Sequence, residues 1–547
     1  MSNSNKQTRR GASRREVLLG SAAVGALGLF AHPLLLNRAA FAKMASGEVF
    51  SASHWGAFRA QVKDGRWVSI RPWEKDPRPT HQLAGVRDSV YSPTRIRYPM
   101  VRRAFLEKGA GADVETRGSG DFVRVSWDKA LDLVAGELKR VGKTYGAAGT
   151  FAGSYGWKST GKLHNCQNLM RRMMNVTKHG FVNASGDYST GASQIVMPHV
   201  MGTLEVYEQQ TAWPVVIENT ETLVFGGGDP IRTCQIGWLV PDHTVYDNLA
   251  AFKKTGKKVI SIDPVRTDTA KFFGAEWVPI RPLTDLPMML GMAYTLYTEK
   301  LHDAKFLAEY TVGFDKFLPY LLGKTDGTPK TAEWAAKICE VPAEQIKALA
   351  RRLAGSRTML ASGWSLQRQH HGEQNHWMLV TLASMLGQIG LPGGGFGLSY
   401  HYGSGGSLSA NGVFAPGITD GAKAKAETPW LTEAGAASIP VARIVDMLEN
   451  PGGEFDFNGK RETFPSVKMA YWVGGNPFAH HQDRNRMVKA WQKLETVVVH
   501  DFQWTATARF ACPRMGIVSS HVSRCETYSP RSDAFRENTA TAMPIRS

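Results

Sequence analysis

Thr222-Leu223-Val224-Phe225-Gly226-Gly227-Gly228-Asp229-Pro230 runs from an apolar strand straight into a glycine turn, and about half a chain later Val467 to Val473 runs the same way into Gly474-Gly475-Asn476-Pro477. After the first turn, a helical stretch near Tyr246 to Lys254 stops at Gly256 and leads to a strand, Val259 to Ile262, that closes on Asp263. After the second, a helix from Asn485 to Leu494 leads to the strand Thr496 to Val499, closing on His500-Asp501. This order predicts an α/β architecture of parallel sheets flanked by helices. Glycines directly after a strand let the backbone approach a phosphate, and an acidic residue ending the next strand can bond a ribose or a purine edge. Neither copy has the GxGxxG spacing of a nicotinamide or flavin site, which disfavours a nicotinamide dehydrogenase, and one such turn alone is commonly plain connectivity. Two matched copies suit a ligand with two nucleotide halves.

Three other segments carry polar chemistry. Gly186-Asp187-Tyr188-Ser189-Thr190-Gly191-Ala192 is a glycine-bracketed loop before the apolar stretch Gln194 to Val200. A serine there is ordinarily a helix N-cap, and without GxSxG context it is no hydrolase nucleophile. Gly153-Ser154-Tyr155-Gly156-Trp157-Lys158-Ser159 sets two aromatics around a glycine, able to line a pocket with a phenol and an indole donor or to lie on the surface. Gly363-Trp364-Ser365-Leu366-Gln367-Arg368-Gln369-His370-His371-Gly372-Glu373-Gln374 precedes an apolar helix expected from Trp377 to Ile389 and stopped by Gly390. His370, His371 and His376 lack the HExxH spacing of a zinc site.

The chain ends give compartment and class. Ser13-Arg14-Arg15-Glu16-Val17-Leu18, an uncharged run to Leu36 and Ala40-Phe41-Ala42 predict a twin-arginine export signal over residues 1–42, carrying a folded protein to the periplasm. Gly20, Gly25, Gly28 and Pro33 weaken the competing reading as a membrane span. Part of the net charge of +17 sits in that segment, in Lys6, Arg9, Arg10, Arg14, Arg15 and Arg38 against Glu16, and the rest is spread thinly, a poor pattern for nucleic acid. The 547 residues suggest about three domains, and 43% hydrophobic residues with no further long apolar run suggest a globular, non-membrane-embedded body. Cys166, Cys234, Cys339, Cys512 and Cys525 lie far apart, with no spacing for an iron-sulfur cluster, a covalent haem or a disulfide framework.

Taken together, Ser53-His54-Trp55-Gly56, Gly153 to Ser159, Gly186 to Ala192, Glu205-Val206-Tyr207-Glu208-Gln209-Gln210-Thr211, Ile262-Asp263-Pro264, Gly363 to Arg368, Met385 to Gly397 and Gly474 to Phe478 resemble molybdopterin oxidoreductases of the dimethyl sulfoxide and trimethylamine N-oxide reductase branch. The resemblance covers about Gly47 to Phe510. It implies a molybdenum bis(molybdopterin guanine dinucleotide) cofactor, with one guanine nucleotide in each βα unit and Ser189 as the protein's metal ligand. A hard alkoxide suits a high-valent metal. By the same resemblance Tyr155, Trp157 and Ser189 are catalytic. Trp157, Lys158, Ser159, Ser189, Arg232, Ile262, Asp263, Pro264, Asp285, Trp364, Ser365, Arg368, Asn476, His480, His500, Asp501 and Gln503 would hold the cofactor. The implied reaction is oxygen-atom transfer from a sulfoxide or N-oxide to molybdenum, as the terminal reductase of anaerobic respiration. Electrons would come from a membrane-anchored multihaem c-type cytochrome, and a cofactor-loading chaperone and the twin-arginine translocase are the other implied partners.

The expected division is a signal at 1–42, a small β-rich region at 43–100, an α/β domain at 101–212 with the metal-ligand loop, a Rossmann-like α/β domain at 213–355 with the first cradle, and the continuation of the earlier α/β domain at 356–511 with the second. From Cys512 to Ser547 the resemblance stops abruptly in a Ser, Arg and Thr-rich tail, read as out of frame, so that the C-terminal β domain of such enzymes is missing. The alternative function is then an inactive fragment unable to hold the cofactor.

Overall fold

The computed structural model describes residues 47–153, 166–176, 180–237, 241–403, 405–408 and 438–510. The expected signal, residues 154–159 of the aromatic segment and the tail after Cys512 lie outside them. Three successive strands, β1 (Gly47–Ser53), β2 (Gly56–Lys63) and β3 (Arg66–Pro72), make the small N-terminal β region. Residues 47–49 with 60–69 form a compact unit of their own, and residues 50–59 with those from 70 onward form the other.

The larger unit is built on two parallel sheets. Short pairs accompany them: β4 (Met100–Arg102) with β5 (Phe122–Arg124), β7 (Asn183–Ser185) with β13 (Ser438–Pro440), and β14 (Glu454–Phe457) with β15 (Lys460–Thr463). The first sheet joins β8 (Thr222–Gly226), β9 (Lys258–Ile262), β10 (Glu276–Val278), β11 (Thr358–Ser362) and β12 (Gly395–Gly397) in the order β10-β9-β8-β11-β12. Every pairing is parallel. Alternate side chains serve opposite cores, as the two-residue period of a strand requires. Leu223, Phe225 and Val259 pack with Tyr246, Leu249 and Phe252 of the helix Val245–Lys254. Val224, Ile260 and Leu360 face the other way, onto Met288, Met292 and Leu296 of the helix Asp285–Thr298. With both faces covered, β8 and β11 read as continuous apolar runs.

The second sheet repeats the plan with fewer strands: β6 (Thr150–Gly153), β16 (Met469–Val473) and β17 (Thr496–His500) lie in the order β17-β16-β6, again parallel. Ala470, Trp472, Val497 and Val499 pack on Met487 and Trp491 of the helix Arg484–Trp491. Met469, Tyr471, Val473 and Val498 pack on Ala130, Val134 and Val141 of the helix Trp127–Tyr145, whose N-cap Ser126 accepts from Lys129 N–H at 3.2 Å.

Two expectations change. Residues 356–511 are expected to continue the earlier α/β domain, and in the structure β11 and β12 from that stretch lie in the first sheet, with β11 beside β8. β11 is buried throughout and needs β8 beside it to satisfy its backbone. The helix expected over 377–389 is Glu373–Met385, ended at Leu386 because Gly387 takes φ +67°, before Gly390 is reached.

Candidate functional site

In each sheet the glycine-turn strand has neighbours reached by opposite directions of winding. The chain steps from β8 to β9 on one side while β11 lies on the other, and from β16 to β17 on one side while β6 lies on the other. A crevice forms at the carboxyl ends of strands where the winding reverses. Both glycine turns sit at such a point.

At the first crevice, Gly227 has φ +61° and donates its N–H to the Ile262 carbonyl at 3.0 Å. Gly363 N–H donates to the Gly226 carbonyl at 2.7 Å, and a Cβ on Gly363 would stand 2.0 Å from the Gly227 oxygen. Ser365 Oγ donates to that same Gly227 carbonyl at 2.8 Å. Trp364 is buried behind the turn, donating Nε1–H to Ser399 Oγ at 3.1 Å, edge-on to Tyr207 and 4.2 Å from Tyr402. Arg232 is exposed and paired with Asp268 at 2.7 Å, and that hydrogen bond raises its pKa.

Asp263 and Asp285 supply the acidity. Burial pushes the Asp263 carboxyl up against the Val265 N–H bond that holds it down, and neighbouring Asp229 adds to the rise. Pro264 follows it, exposed. Asp285 lines a largely apolar cavity with Gly226, Ile262, Met288 and Leu366, and burial pushes its carboxyl up to about 6. The fold therefore favours the protonated form: this stabilisation is complete below about pH 4 and is lost as pH rises through 6. In the cofactor-free chain, Asp285→Asn is expected to match the wild type near pH 4 and to exceed its stability at pH 7.5 by roughly 2–3 kcal/mol, read from urea midpoints. A gap that does not change with pH would show that the carboxyl is solvated.

At the second crevice, Gly474 has φ +69° and donates to the His500 carbonyl at 3.0 Å. The buried Asp501 accepts from Gln503 N–H at 3.1 Å and from Thr505 Oγ at 2.9 Å, while desolvation raises its pKa. The His500 ring lies 5.1 Å from Tyr471, and burial pushes His480 down to about 4. The Asn476 side-chain oxygen accepts from the Thr507 hydroxyl at 2.7 Å.

The loop 186–190 reaches both crevices. Ser189 is not the helix N-cap: Thr190 occupies that position before the helix Gly191–Met201, and its N–H is taken by Asp187 Oδ1 at 2.8 Å. Asp187 Oδ2 also accepts from Gln194 at 2.9 Å and from Tyr207 at 2.5 Å. The Ser189 carbonyl accepts from Gln367 Nε2 at 2.8 Å and Arg368 Nε at 3.1 Å, both from the first crevice. Its hydroxyl has no hydrogen bond among the described residues. On the other side, the Tyr188 hydroxyl meets His481 Nδ1, Gln482 at 3.2 Å and the Val441 carbonyl at 3.3 Å. Behind the loop, His376 is wholly buried between Ser193 and Ser362, and desolvation pushes it down to about 4, so it is neutral at pH 7. His370 and His371 are exposed and apart from it. Asp187, Tyr207 and Gln367 are residues that sequence reasoning passed over as site residues, and His376 was weighed there only as a zinc ligand. Tyr155, Trp157, Lys158 and Ser159 lie outside the described residues.

The model of the molybdopterin oxidoreductase family matches residues 95–511, and that of the family's N-terminal domain matches residues 51–91. The chain belongs to the molybdopterin oxidoreductase family. It is similar to the dimethyl sulfoxide/trimethylamine N-oxide reductase of Cereibacter sphaeroides, 66% identical over 499 residues, 91% of this chain and 61% of that protein. It is also 50% identical to the trimethylamine-N-oxide reductase of Haemophilus influenzae, over 87% of this chain and 58% of that protein. The chain thus spans about three fifths of the length of the curated relatives it matches. Acetylene hydratase from Pelobacter acetylenicus shares the fold, with a TM-score of 0.56 at 18% identity over 91% of this chain and 70% of that one. The residues fit the molybdenum-pterin group that family membership implies. Gly363 leaves no space for a side chain where backbone must approach backbone, carboxyls stand at the ends of β9 and β17, and a serine hydroxyl with no partner among the described residues is held between the crevices.

Proposed function

We propose that this chain is a molybdenum bis(molybdopterin guanine dinucleotide) oxidoreductase that reduces dimethyl sulfoxide and trimethylamine N-oxide in the periplasm, as the terminal reductase of anaerobic respiration. The observation that carries this reading is the Ser189 loop, whose carbonyl is tied to Gln367 and Arg368 while its hydroxyl has no partner among the described residues. The names of the similar proteins support the substrate class. When bound, the cofactor would supply a two-electron metal centre able to take an oxygen atom from a sulfoxide or N-oxide.

The chain's own residues bind and orient. Asp263 and Asp285 at the first crevice and Asp501 at the second would accept from guanine edges or ribose hydroxyls. The backbone at Gly227 and Gly474 would lie along the phosphates, with Ser365, Arg368, Arg232 and Gln503 as further contacts. Ser189 would ligate the metal through oxygen. Tyr155 and Trp157, shortly after β6, would donate to substrate oxygen and stabilise charge developing there.

The test is to purify the chain from a molybdate-fed host, measure molybdenum and acid-released guanosine monophosphate, and assay turnover with a reduced dye. One molybdenum and two nucleotides per chain are expected. A preparation with neither sinks the reading. Electrons would arrive from a membrane-anchored multihaem c-type cytochrome, after loading by a cytoplasmic chaperone and export by the twin-arginine translocase. Among the described residues no helix is long and apolar enough to cross a membrane. Replacing Arg14 and Arg15 together by Lys is expected to abolish export of a reporter that must fold before transport. Undiminished periplasmic reporter would refute the route.

A further inference from the structure

The two glycine turns end in the same knot of hydrogen bonds. In the first, Asp229 Oδ1 accepts from the Thr269 N–H at 3.0 Å and from the Thr269 hydroxyl at 2.6 Å, and that hydroxyl accepts from the Ile231 N–H at 3.1 Å. In the second, Asn476 Oδ1 accepts from the Thr507 N–H at 3.1 Å and from its hydroxyl at 2.7 Å, and the hydroxyl accepts from the Phe478 N–H at 3.2 Å. The backbone agrees as closely: Asp229 has φ −127° and ψ 73°, Asn476 φ −138° and ψ 73°, and a proline follows each. Each threonine lies in the first turn of the helix after the unit's second strand, Asp268–Phe273 or Ala506–Phe510. Two residues earlier, Thr267 and Thr505 accept from the N–H groups of Ala270 and Ala508.

Both latching threonines are buried, at 1% and 0% exposure, so each hydroxyl has to use its donor and its acceptor inside the protein. It does both, and thereby ties the last residue of the glycine turn to a helix that begins beyond the neighbouring strand. The acceptor is a carboxylate in one unit and an amide in the other, so the shared requirement is an oxygen at that position and not a charge. Each turn is also pinned at its start, by Gly227 N–H on Ile262 and Gly474 N–H on His500. Each turn is thus tied at both ends, and the freedom of the peptide groups between them is reduced.

We propose that Thr269 and Thr507 are matched positioning residues, one for each cradle, that hold the two glycine turns in the shape that receives a nucleotide, each independently of the other. This rests on the nucleotide reading of the proposed function. Thr→Val keeps the shape of the side chain and removes the hydroxyl, and Thr→Ser keeps the hydroxyl.

Hydrogen exchange of the full chain tests the latch with no ligand present. Thr269→Val is expected to speed exchange of the Ile231 amide by about tenfold or more while leaving the Phe478 amide at its wild-type rate, and Thr507→Val to do the reverse. Thr269→Ser and Thr507→Ser should stay at wild-type rates. Both turns loosening together in either Val variant, or neither loosening, overturns the latch. Guanosine monophosphate added to the wild type should protect both turns from exchange. Each Val variant should lose protection at its own turn alone, a separation that general destabilisation does not produce. Loss at both turns, or at neither, overturns the positioning role. No protection of the wild type overturns the nucleotide reading, and with it the claim about what the turns receive, while the ligand-free exchange still decides the latch.

Discussion

Ser189→Ala is expected to leave the fold intact and to reduce turnover by at least about 100-fold, the scale on which loss of a group acting directly at a reaction centre is felt. The loop does not depend on the hydroxyl. Gln367 and Arg368 hold the Ser189 carbonyl, and Asp187 holds the following amide, so the melting temperature should move by no more than about 1–2 °C. Guanosine monophosphate content should be unchanged, because no nucleotide contact is removed. The electron paramagnetic resonance of the metal should change if the Ser189 oxygen ligates it as proposed. A variant with wild-type rate and spectrum would reduce Ser189 to a loop residue.

Gly363→Ala should be severely destabilising, although it adds a single methyl group. Its Cβ would lie 2.0 Å from the Gly227 oxygen, 2.7 Å from the Gly227 carbonyl carbon and 3.1 Å from the Gly228 nitrogen. All three are backbone atoms, in a turn fixed by the Gly363 N–H to Gly226 carbonyl bond of 2.7 Å, so no side chain can swing aside. Overpacking against fixed backbone should cost about 3 kcal/mol or more, seen as a lowered melting temperature or as insoluble protein. Gly136 is the control, within the helix Trp127–Tyr145, where an added Cβ meets nothing within 4 Å. Gly136→Ala should gain roughly 0.5–1 kcal/mol. A Gly363→Ala protein as stable as wild type would mean that Gly363 and the Gly227 turn are not in backbone contact.

What the sequence made legible was local. The strands beginning at Thr222, Lys258, Met469 and Thr496 were readable to within a residue or two, because each is an apolar run ended by glycine or a carboxylate. Asp263 and Asp501 were readable for the same reason, as residues that end such strands. Partnership across long stretches was not readable. Nothing near Thr358 announces that β11 will lie beside β8, since apolar periodicity is the same for either sheet. Asp187 looks like any loop aspartate, and its role depends on Tyr207 and Gln194 arriving beside it. His376 sits in an apolar helix six residues after His370, and only the fold separates them, burying one with Ser193 and Ser362.

The pairing of β6 with β16 also sets a timetable for synthesis. β6 leaves the ribosome roughly 300 residues before the strand it pairs with, a delay of about 15–60 s at about 5–20 residues per second. In that interval every strand of the first sheet, through β12, has been made. The first sheet can therefore close while residues 100–153 are still a nascent segment with an unsatisfied strand edge, the kind of surface that recruits other chains. Newly made chains should be protected from protease first over 222–397, with 150–153 joining only after residue 500 has emerged. Until then half of the second crevice does not exist, and anything that needs both crevices at once has to wait for β16 and β17.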